Sequence, residues 1–208
     1  MKIPVAMGWK IARLWWPLAN PSAVHVIWNM HTPTLSTPRL RMRPFLPEDD
    51  ADLLQICSDP DAMRHIPPSY LPETPEEVAA RLQRYLDHQA RFGMGFYHVG
   101  NHAGDFVGRA GLFWTEEAGL FELGYSLLPQ YWGQGLATEL TWRIIAHAFE
   151  EMGLAEICGR TVPWHTASRH VLEKTGFEYA GLRPFHVAGQ AMDFAYYLLR
   201  ARAGEEHP

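Results

Sequence analysis

Nine consecutive residues in the second half of the chain, Gln130-Tyr131-Trp132-Gly133-Gln134-Gly135-Leu136-Ala137-Thr138, carry the strongest functional signal in the sequence. They lie between a predicted strand over residues 120–127 and a long predicted helix over residues 135–151. The two glycines leave the backbone accessible to a ligand, and the first N–H groups of a helix have no partners inside it. Those groups also lie at the positive end of the helix dipole. The pattern predicts a phosphate or diphosphate site, although a glycine turn that merely begins a helix has the same spacing.

Two other nucleotide-binding patterns fit this segment less well. The dinucleotide fingerprint needs a third glycine in an opening strand–helix–strand unit and an acidic residue roughly 20 positions later. Here the third glycine is absent, and the segment comes late, after the predicted hairpins. The phosphate loop that ends in Gly-Lys-Ser or Gly-Lys-Thr is absent as well. A generic nucleotide-binding α/β protein therefore remains only as a third alternative.

The rest of the chain predicts a mixed α/β fold. Thr74-Pro75-Glu76-Glu77 predicts a helix start, with Thr74 as the N-cap and Glu77 completing a capping box. Strands that come first in hairpins and then alternate with helices indicate a mixed sheet. The segments 60–73 and 183–190 are predicted to be irregular and to form the acceptor pocket. Strands are predicted over 39–45, 96–99, 106–114, 120–127, 157–162, 177–179 and 192–199.

Composition limits the class of protein. The chain has 208 residues, 47% of them hydrophobic and 20% charged, which is typical of one soluble globular domain. A net charge of -5 argues against a nucleic-acid binder. Two cysteines, Cys57 and Cys158, cannot form a disulfide framework and indicate a reducing, cytoplasmic location. Apolar runs are too short for a membrane span, so we expect no membrane partner. We expect a monomer or a homodimer.

The chain is predicted to have three parts. Residues 1–36 hold four of the eight tryptophans without sustained periodicity, and we interpret them as a disordered extension or a start-site artefact. A partner-binding arm is the alternative for this segment. Residues 37–202 form the predicted domain, and residues 203–208 form a tail.

Several segments in register resemble the GNAT N-acetyltransferase superfamily. Gln130-x-x-Gly133-x-Gly135 resembles its acyl-CoA diphosphate loop, and residues 37–45 resemble the opening strand of the RimJ/RimL-type branch. Glu122-Leu123-Gly124-Tyr125 resembles the fourth strand, and residues 163–177 resemble the closing helix and turn. The similarity covers about residues 36 to 200. It implies the GNAT fold, in which a twisted, mostly antiparallel sheet is splayed between strands four and five. It also implies acetyl-CoA as acyl-donor substrate, an amine as acceptor and no metal.

The resemblance also implies which residues hold acetyl-CoA and which carry the chemistry. Glu122 takes the place of the carboxylate that removes the amine proton through water; a glutamate that only pairs with a neighbouring arginine is the alternative. Backbone groups of Leu127 and Leu128 would contact the pantetheine arm. The diphosphate cradle would consist of the loop and helix residues Gln130, Trp132, Gly133, Gln134, Gly135, Leu136, Ala137 and Thr138.

Three positions near the end of the chain depart from the family pattern. Leu172 stands where many members have a tyrosine that protonates the leaving thiolate, and leucine cannot do this. Ser168 takes a serine position that could hydrogen-bond the coenzyme sulfur, or it could simply help to cap the helix. His165 replaces the usual asparagine and would donate to the pantetheine or lie exposed before the helix. His186 occupies the region of a family glutamate and is a candidate second base.

Acid–base arithmetic favours an α-amine acceptor. An α-amine with a pKa of about 8 is roughly one-tenth neutral at pH 7, whereas a lysine near 10.4 is neutral in about one molecule per few thousand. An enzyme without a strong acid and base pair therefore suits α-amines, such as protein or peptide N-termini. The alternatives are a small-molecule amine acetyltransferase and a non-catalytic acyl-CoA-binding module.

Overall fold

The computed structural model describes residues 32–67, 74–187 and 190–201. The expectations for residues 1–31 and for the tail lie outside the described residues. The described residues contain eight strands and five α-helices, with a 3₁₀ turn at Pro129–Tyr131 and a π turn at His147–Glu151. The strands are β1 (Leu35–Ser36), β2 (Leu40–Pro44), β3 (Phe96–Asn101), β4 (Phe106–Thr115), β5 (Leu120–Leu127), β6 (Glu156–Thr161), β7 (Glu178–Val187) and β8 (Gln190–Arg200). The helices are α1 (Asp50–Ser58), α2 (Pro60–Met63), α3 (Pro75–Phe92), α4 (Leu136–Ala146) and α5 (Thr166–Lys174).

All eight strands form one sheet in the order β1-β2-β3-β4-β5-β6-β8-β7. Every neighbouring pair is antiparallel except β5 and β6, which are parallel. The pairing of β5 with β6 is limited to Glu122 with Cys158 and Leu123 with Gly159. Beyond those two pairs the strands separate. The predicted mixed α/β fold with a splayed sheet is confirmed, and the strands that flank the gap are β5 and β6.

Helices cover both faces of the sheet. Leu136, Leu140 and Ile144 of α4 pack with Leu123 and other sheet residues in the largest core cluster. On the opposite face, residues of α1 and α3 pack on β4 and on Leu128, which follows β5. Side chains of successive strand residues point to opposite faces. Neighbouring residues of β5 therefore face different helices.

The capping residues of α3 behave as predicted. The Thr74 hydroxyl accepts from the Glu77 N–H, and the Glu77 carboxylate accepts from the Thr74 N–H. The helix ends at Gly93 in the left-handed conformation, at φ 65°. This helix places Val78, Leu82 and Tyr85 against the sheet.

The predicted start of the domain at residue 37 is too late. Leu35 and Ser36 pair with Met42 and Arg41 of β2, and Leu35 is only 1% exposed. Burial of this leucine in the largest core cluster fixes the two-residue strand. The described part of the domain therefore includes β1.

The segments predicted to be irregular contain regular structure. Pro60–Met63 forms α2, with the Asp59 carboxylate accepting from the Ala62 N–H. Residues 183–187 continue β7, because Phe185 and Val187 alternate into an apolar cluster with Phe194. Together β7 and β8 form a long hairpin in place of two short closing strands. None of the helices in the described part of the chain is long and apolar enough to cross a membrane.

Candidate active site

The gap between β5 and β6 exposes backbone groups of β5. The Leu128 N–H donates to the Val107 carbonyl oxygen in the direction of β4, and Leu123 pairs with β6 on the other side. In an antiparallel ladder, alternate residues direct their backbone groups to alternate sides of the strand. The backbone groups of Tyr125 and Leu127 therefore face the gap. They are placed to hydrogen-bond an extended ligand between the strands.

The predicted contact from Leu128 is wrong for its N–H group. That group is bonded to Val107, and the Leu128 carbonyl oxygen accepts from the Tyr131 N–H. The side chain is 2% exposed and lies in the cluster beneath α1 and α3. Of the two leucines, only Leu127 has backbone groups that face the gap.

Both glycines of the loop have left-handed backbone conformations. Gly133 and Gly135 have φ values of 71° and 75°, in the left-handed region that disfavours side chains. A Cβ added to Gly133 would have no neighbour within 4 Å. Gly135 is the N-cap of α4 and offers no side-chain cap. In the described ranges, no acceptor takes the N–H groups of residues 135–138. This row of N–H donors fits a diphosphate.

Arg39 holds the loop in place, which the sequence did not indicate. Its Nη1 donates to the Gln134 carbonyl oxygen at 2.8 Å, and its Nε donates to Glu139 Oε2 at 2.6 Å. Gln134 Nε2 in turn donates to the Gln130 carbonyl oxygen at 2.9 Å. Arg39 also balances the Glu139 carboxylate, which would otherwise repel an anion at the start of α4. Arg39 is 95 residues from Gln134 and 100 residues from Glu139 in the sequence, so no local pattern could reveal the contacts.

Trp132 lies beside the gap. Its indole Nε1 donates to the Leu127 carbonyl oxygen at 2.7 Å, and the residue as a whole is 38% exposed. The guanidinium of Arg64 lies 5.2 Å from the centroid of this ring. Trp132 thus forms part of the wall of the gap, in keeping with its predicted place in the cradle.

Glu122 lies on the face of the sheet that α1 and α3 cover. Its pairing partner in β4 is Phe113, which packs in the same cluster as these helices. Arg160 Nε donates to the carboxylate at 2.9 Å. Burial raises the pKa of Glu122 above its ordinary value, and Arg160 opposes this rise. Both the base role and the ion pair considered for this residue are therefore compatible with its surroundings.

Ser168 lies in the first turn of α5 and meets a tyrosine of β5. Its Oγ lies 3.0 Å from the Tyr125 hydroxyl oxygen. Leu172, one turn later, is 2% exposed and packs against Gly159. The helix position that many family members give to a proton-donating tyrosine is therefore part of the core. Tyr125, which the sequence analysis did not single out, provides a phenol near the same helix.

His165 and His186 lie in different surroundings. The His165 ring stacks on His65 at a centroid separation of 3.8 Å, and the Nδ1 atoms of both rings are buried without partners in the described residues. Burial lowers the pKa of His165 to about 4, so the ring is neutral. His186 is 73% exposed and lies 3.5 Å from a Glu117 carboxylate oxygen. His186 and Glu122 are not in contact. The role of His186 as a second base stays a prediction.

Comparisons with known proteins identify the family. A family model described as an acetyltransferase (GNAT) domain matches residues 39–178. The chain belongs to the GNAT acetyltransferase family. Members of this family are acetyltransferases, and the family uses acetyl-CoA. Cradle residues Gly133 to Thr138 lie within the matched region of this GNAT domain.

Individual relatives differ in how much of their length they share. FsC-acetyl coenzyme A-N(2)-transacetylase of Aspergillus fumigatus is 33% identical over 156 residues, which are 71% of this chain and 66% of that enzyme. An uncharacterised N-acetyltransferase, p20, of Bacillus licheniformis is 28% identical over 152 residues, 72% of this chain and 84% of p20. The chain thus spans just under two thirds of the fungal enzyme.

A solved structure shows the same fold. The ribosomal-protein α-N-acetyltransferase RimL, in complex with coenzyme A, superposes with a TM-score of 0.69 over 81% of this chain and 98% of RimL. The two sequences are 16% identical, so this likeness concerns the fold alone.

We expect Gly133→Val to weaken acetyl-CoA binding at least tenfold, because the side chain would fill the open side of the donor row. Gly153→Val is the matched control, since Gly153 also has a positive φ, 68°, and open space around a Cβ. Both variants carry similar backbone strain, but Gly153 lies beyond the other end of α4. Titration calorimetry should show near-normal affinity for the control. Equal affinities in the two variants would contradict the assignment of the loop.

Proposed function

We propose that the protein transfers the acetyl group of acetyl-CoA to a primary α-amine, with a protein or peptide N-terminus as the preferred acceptor. The single observation that carries the proposal is the row of unpartnered N–H groups at the start of α4, beside the gap between β5 and β6. The row suits the diphosphate of the coenzyme, and the gap suits its extended pantetheine arm. In this arrangement the thioester lies between the two faces of the sheet.

The loop after β5 and strand β5 each bind a different part of the coenzyme. Backbone N–H groups of residues 135–138 take the diphosphate charge, with Gly133 leaving room for close approach. Backbone groups of Leu127 and Tyr125 pair with the pantetheine amides, as an added strand would. Trp132 closes one side of the arm. Because Trp132 Nε1 already occupies the Leu127 carbonyl oxygen, a coenzyme bond to that oxygen requires sharing it or moving the indole.

Glu122 is the group that receives the amine proton. The attacking nitrogen must be neutral, and it loses a proton when the amide forms. A base is needed to take that proton on the side of the sheet where the amine binds. A carboxylate whose pKa is raised by burial is a stronger base than an exposed glutamate. The amine nitrogen bonds to the acetyl carbon, the carbon–sulfur bond breaks, and the sulfur leaves with the electron pair.

The α-amine preference rests on acidity and on the names of relatives. An amine with a pKa of about 8 loses its proton far more readily than a lysine near 10.4, so one carboxylate base suffices. RimL is described as an α-N-protein acetyltransferase, which supports a protein N-terminus. The fungal relative's name specifies an N(2) nitrogen of FsC, which supports a small-molecule amine as the second candidate.

A panel of acceptors tests this preference. Release of free thiol from acetyl-CoA should be faster with short peptides that have a free N-terminus than with the same peptides N-terminally blocked and carrying only lysine. Amino acids and polyamines represent the second candidate. Higher kcat/KM for any of these than for every peptide would overturn the peptide preference and leave the transfer reaction intact.

Glu122→Gln should lower kcat by about 10²–10⁴-fold, because the amide cannot take a proton. The dissociation constant of acetyl-CoA should change less than threefold. In the wild type, activity should be lost as the pH falls through the raised pKa of Glu122, and this acidic limb should vanish in the variant.

Glu117→Gln is the control for the Glu122 substitution, since Glu117 is a neighbouring carboxylate that contacts His186. It should retain kcat within a few-fold. A Glu122→Gln variant with wild-type kcat at neutral pH would remove Glu122 from the reaction.

A further inference from the structure

A buried arginine lies on the same face of the sheet as Glu122. Arg109 belongs to β4 and pairs with Ser126 of β5, four residues beyond Glu122. Alternate residues of a strand share a face, and so do directly paired residues of neighbouring strands. Arg109 and Glu122 therefore both point toward α1 and α3. The whole Arg109 residue is only 6% exposed.

Arg109 has no carboxylate partner among the described residues. Its Nη1 donates to the Tyr85 hydroxyl oxygen of α3, and its Nε is buried there without a hydrogen-bond partner. The ionisable groups that act on it most strongly are the Cys57 thiol and a second cation, Arg81. Burial lowers the pKa of Arg109 to about 10, so the guanidinium is still charged at pH 7. A buried charge without an opposite charge is unfavourable, and an anion bound beside it relieves this.

The Arg109 guanidinium lies close to the part of β5 that borders the gap. It is 5.3 Å from the centroid of the Phe96 ring. That ring reaches β5, because a Cβ added to Gly124 would lie 2.9 Å from Phe96 Cζ. Gly124 stands between Glu122 and the residue that pairs with Arg109, and it precedes Tyr125, whose backbone groups face the gap. The base and the cation therefore flank the proposed position of the thioester on the amine side.

We infer that Arg109 binds a carboxylate of the amine substrate, so that the preferred amines carry a carboxylate within a few bonds of the reacting nitrogen. The inference rests on the proposed function and narrows its substrate class. Four residues of a strand span about 13 Å, a distance that the Glu122 and Arg109 side chains and a short acidic amine between them can fill.

The geometry of the guanidinium suits this ligand. A carboxylate accepts two parallel hydrogen bonds from one edge of an arginine. Because Nη1 donates to Tyr85, the edge that carries Nε and Nη2 is the one for a carboxylate. The ligand would also supply the partner that the buried Nε lacks among the described residues.

Two kinds of amine present this chemistry. One is a peptide whose first residue has an acidic side chain, and the other is a free amino acid with its own α-carboxylate. Peptides that begin with aspartate and with asparagine differ in charge and little in shape, so they test the first source. Alanine and alaninamide test the second source in the same way.

The measured quantity is the ratio of kcat/KM for the charged member of a pair to kcat/KM for its neutral member. For at least one pair, this ratio should be at least tenfold lower in Arg109→Met than in the wild type, as expected for a lost hydrogen-bonded charge pair. Comparing the two proteins cancels the difference in amine basicity within a pair. If Arg109→Met does not fold, Arg109→Gln removes the same charge. The pair that responds identifies the source of the carboxylate.

Arg43→Met is the matched control. Arg43 of β2 donates to both carboxylate oxygens of Asp49, at 2.6 and 2.7 Å, so its charge is already balanced within the protein. Its ratios should stay within twofold of the wild type. Unchanged ratios for both pairs in the Arg109 variant would overturn the inference and assign Arg109 to packing against Tyr85 and Phe96. Equal falls in the Arg109 and Arg43 variants would overturn it as well, because they indicate a general effect of charge.

A binding measurement without turnover separates the inference from the proposed function. Succinate is a dicarboxylate without an amine, and succinamide is its uncharged counterpart. A ligand that binds the folded state raises the Tm. Succinate should raise the Tm of the wild type and of Arg43→Met, and succinamide should not. Arg109→Met should respond to neither compound.

The two hypotheses then fail in different ways. A succinate effect that depends on Arg109, in a protein that acetylates none of the amines, would sustain the carboxylate site and refute the proposed function. Acetylation of amines with unchanged ratios in Arg109→Met, and with no succinate effect, would refute the carboxylate site and leave the transfer reaction intact.

Discussion

The short parallel contact between β5 and β6 is the constraint on which the site depends. Two residue pairs hold these strands together, and beyond Leu123 and Gly159 they part. The divergence leaves backbone groups of Tyr125 and Leu127 without a strand partner on one side, which an uninterrupted sheet would not allow. The loop after β5 then turns at Gly133 and Gly135 and places the start of α4 beside the opening. Gap and donor row are thus consecutive parts of one strand–loop–helix segment.

The alternation of side chains along β5 separates the two halves of the proposed chemistry. Glu122 and Tyr125 are three positions apart and so point to opposite faces of the sheet. Glu122 meets Arg160 on the face that α1 and α3 cover, while Tyr125 meets Ser168 of α5 on the other. In the proposed function, a thioester held in the gap lies between Glu122 on one face and Tyr125 on the other. One strand therefore supplies side chains on both sides of it.

Local sequence signals predicted the parts of the structure that local chemistry controls. The capping box at Thr74 and the start of α4 after the two glycines each follow from a few adjacent residues. Contacts between residues far apart in the sequence could not be predicted from local patterns. Arg39 fastens the loop through Gln134 and Glu139, and Arg64 lies over Trp132, but neither arginine carries a recognisable motif. Tyr125 was quoted only as part of a strand motif, because its contact with Ser168 depends on α5 packing nearby. The direction of the Leu128 N–H depends on pairing with β4, which no local pattern shows.

The central claim is that backbone N–H groups at the start of α4 bind the coenzyme's diphosphate. Amide resonances report on this directly, so the decisive measurement is a titration of isotope-labelled protein with coenzyme A and, separately, with pantetheine, which lacks the diphosphate. We predict that coenzyme A shifts the amide resonances of Gly133, Gly135 and Thr138, whereas pantetheine shifts those of Tyr125 and Leu127 and leaves the loop unchanged. Loop amides that stay unmoved at saturating coenzyme A would contradict the account.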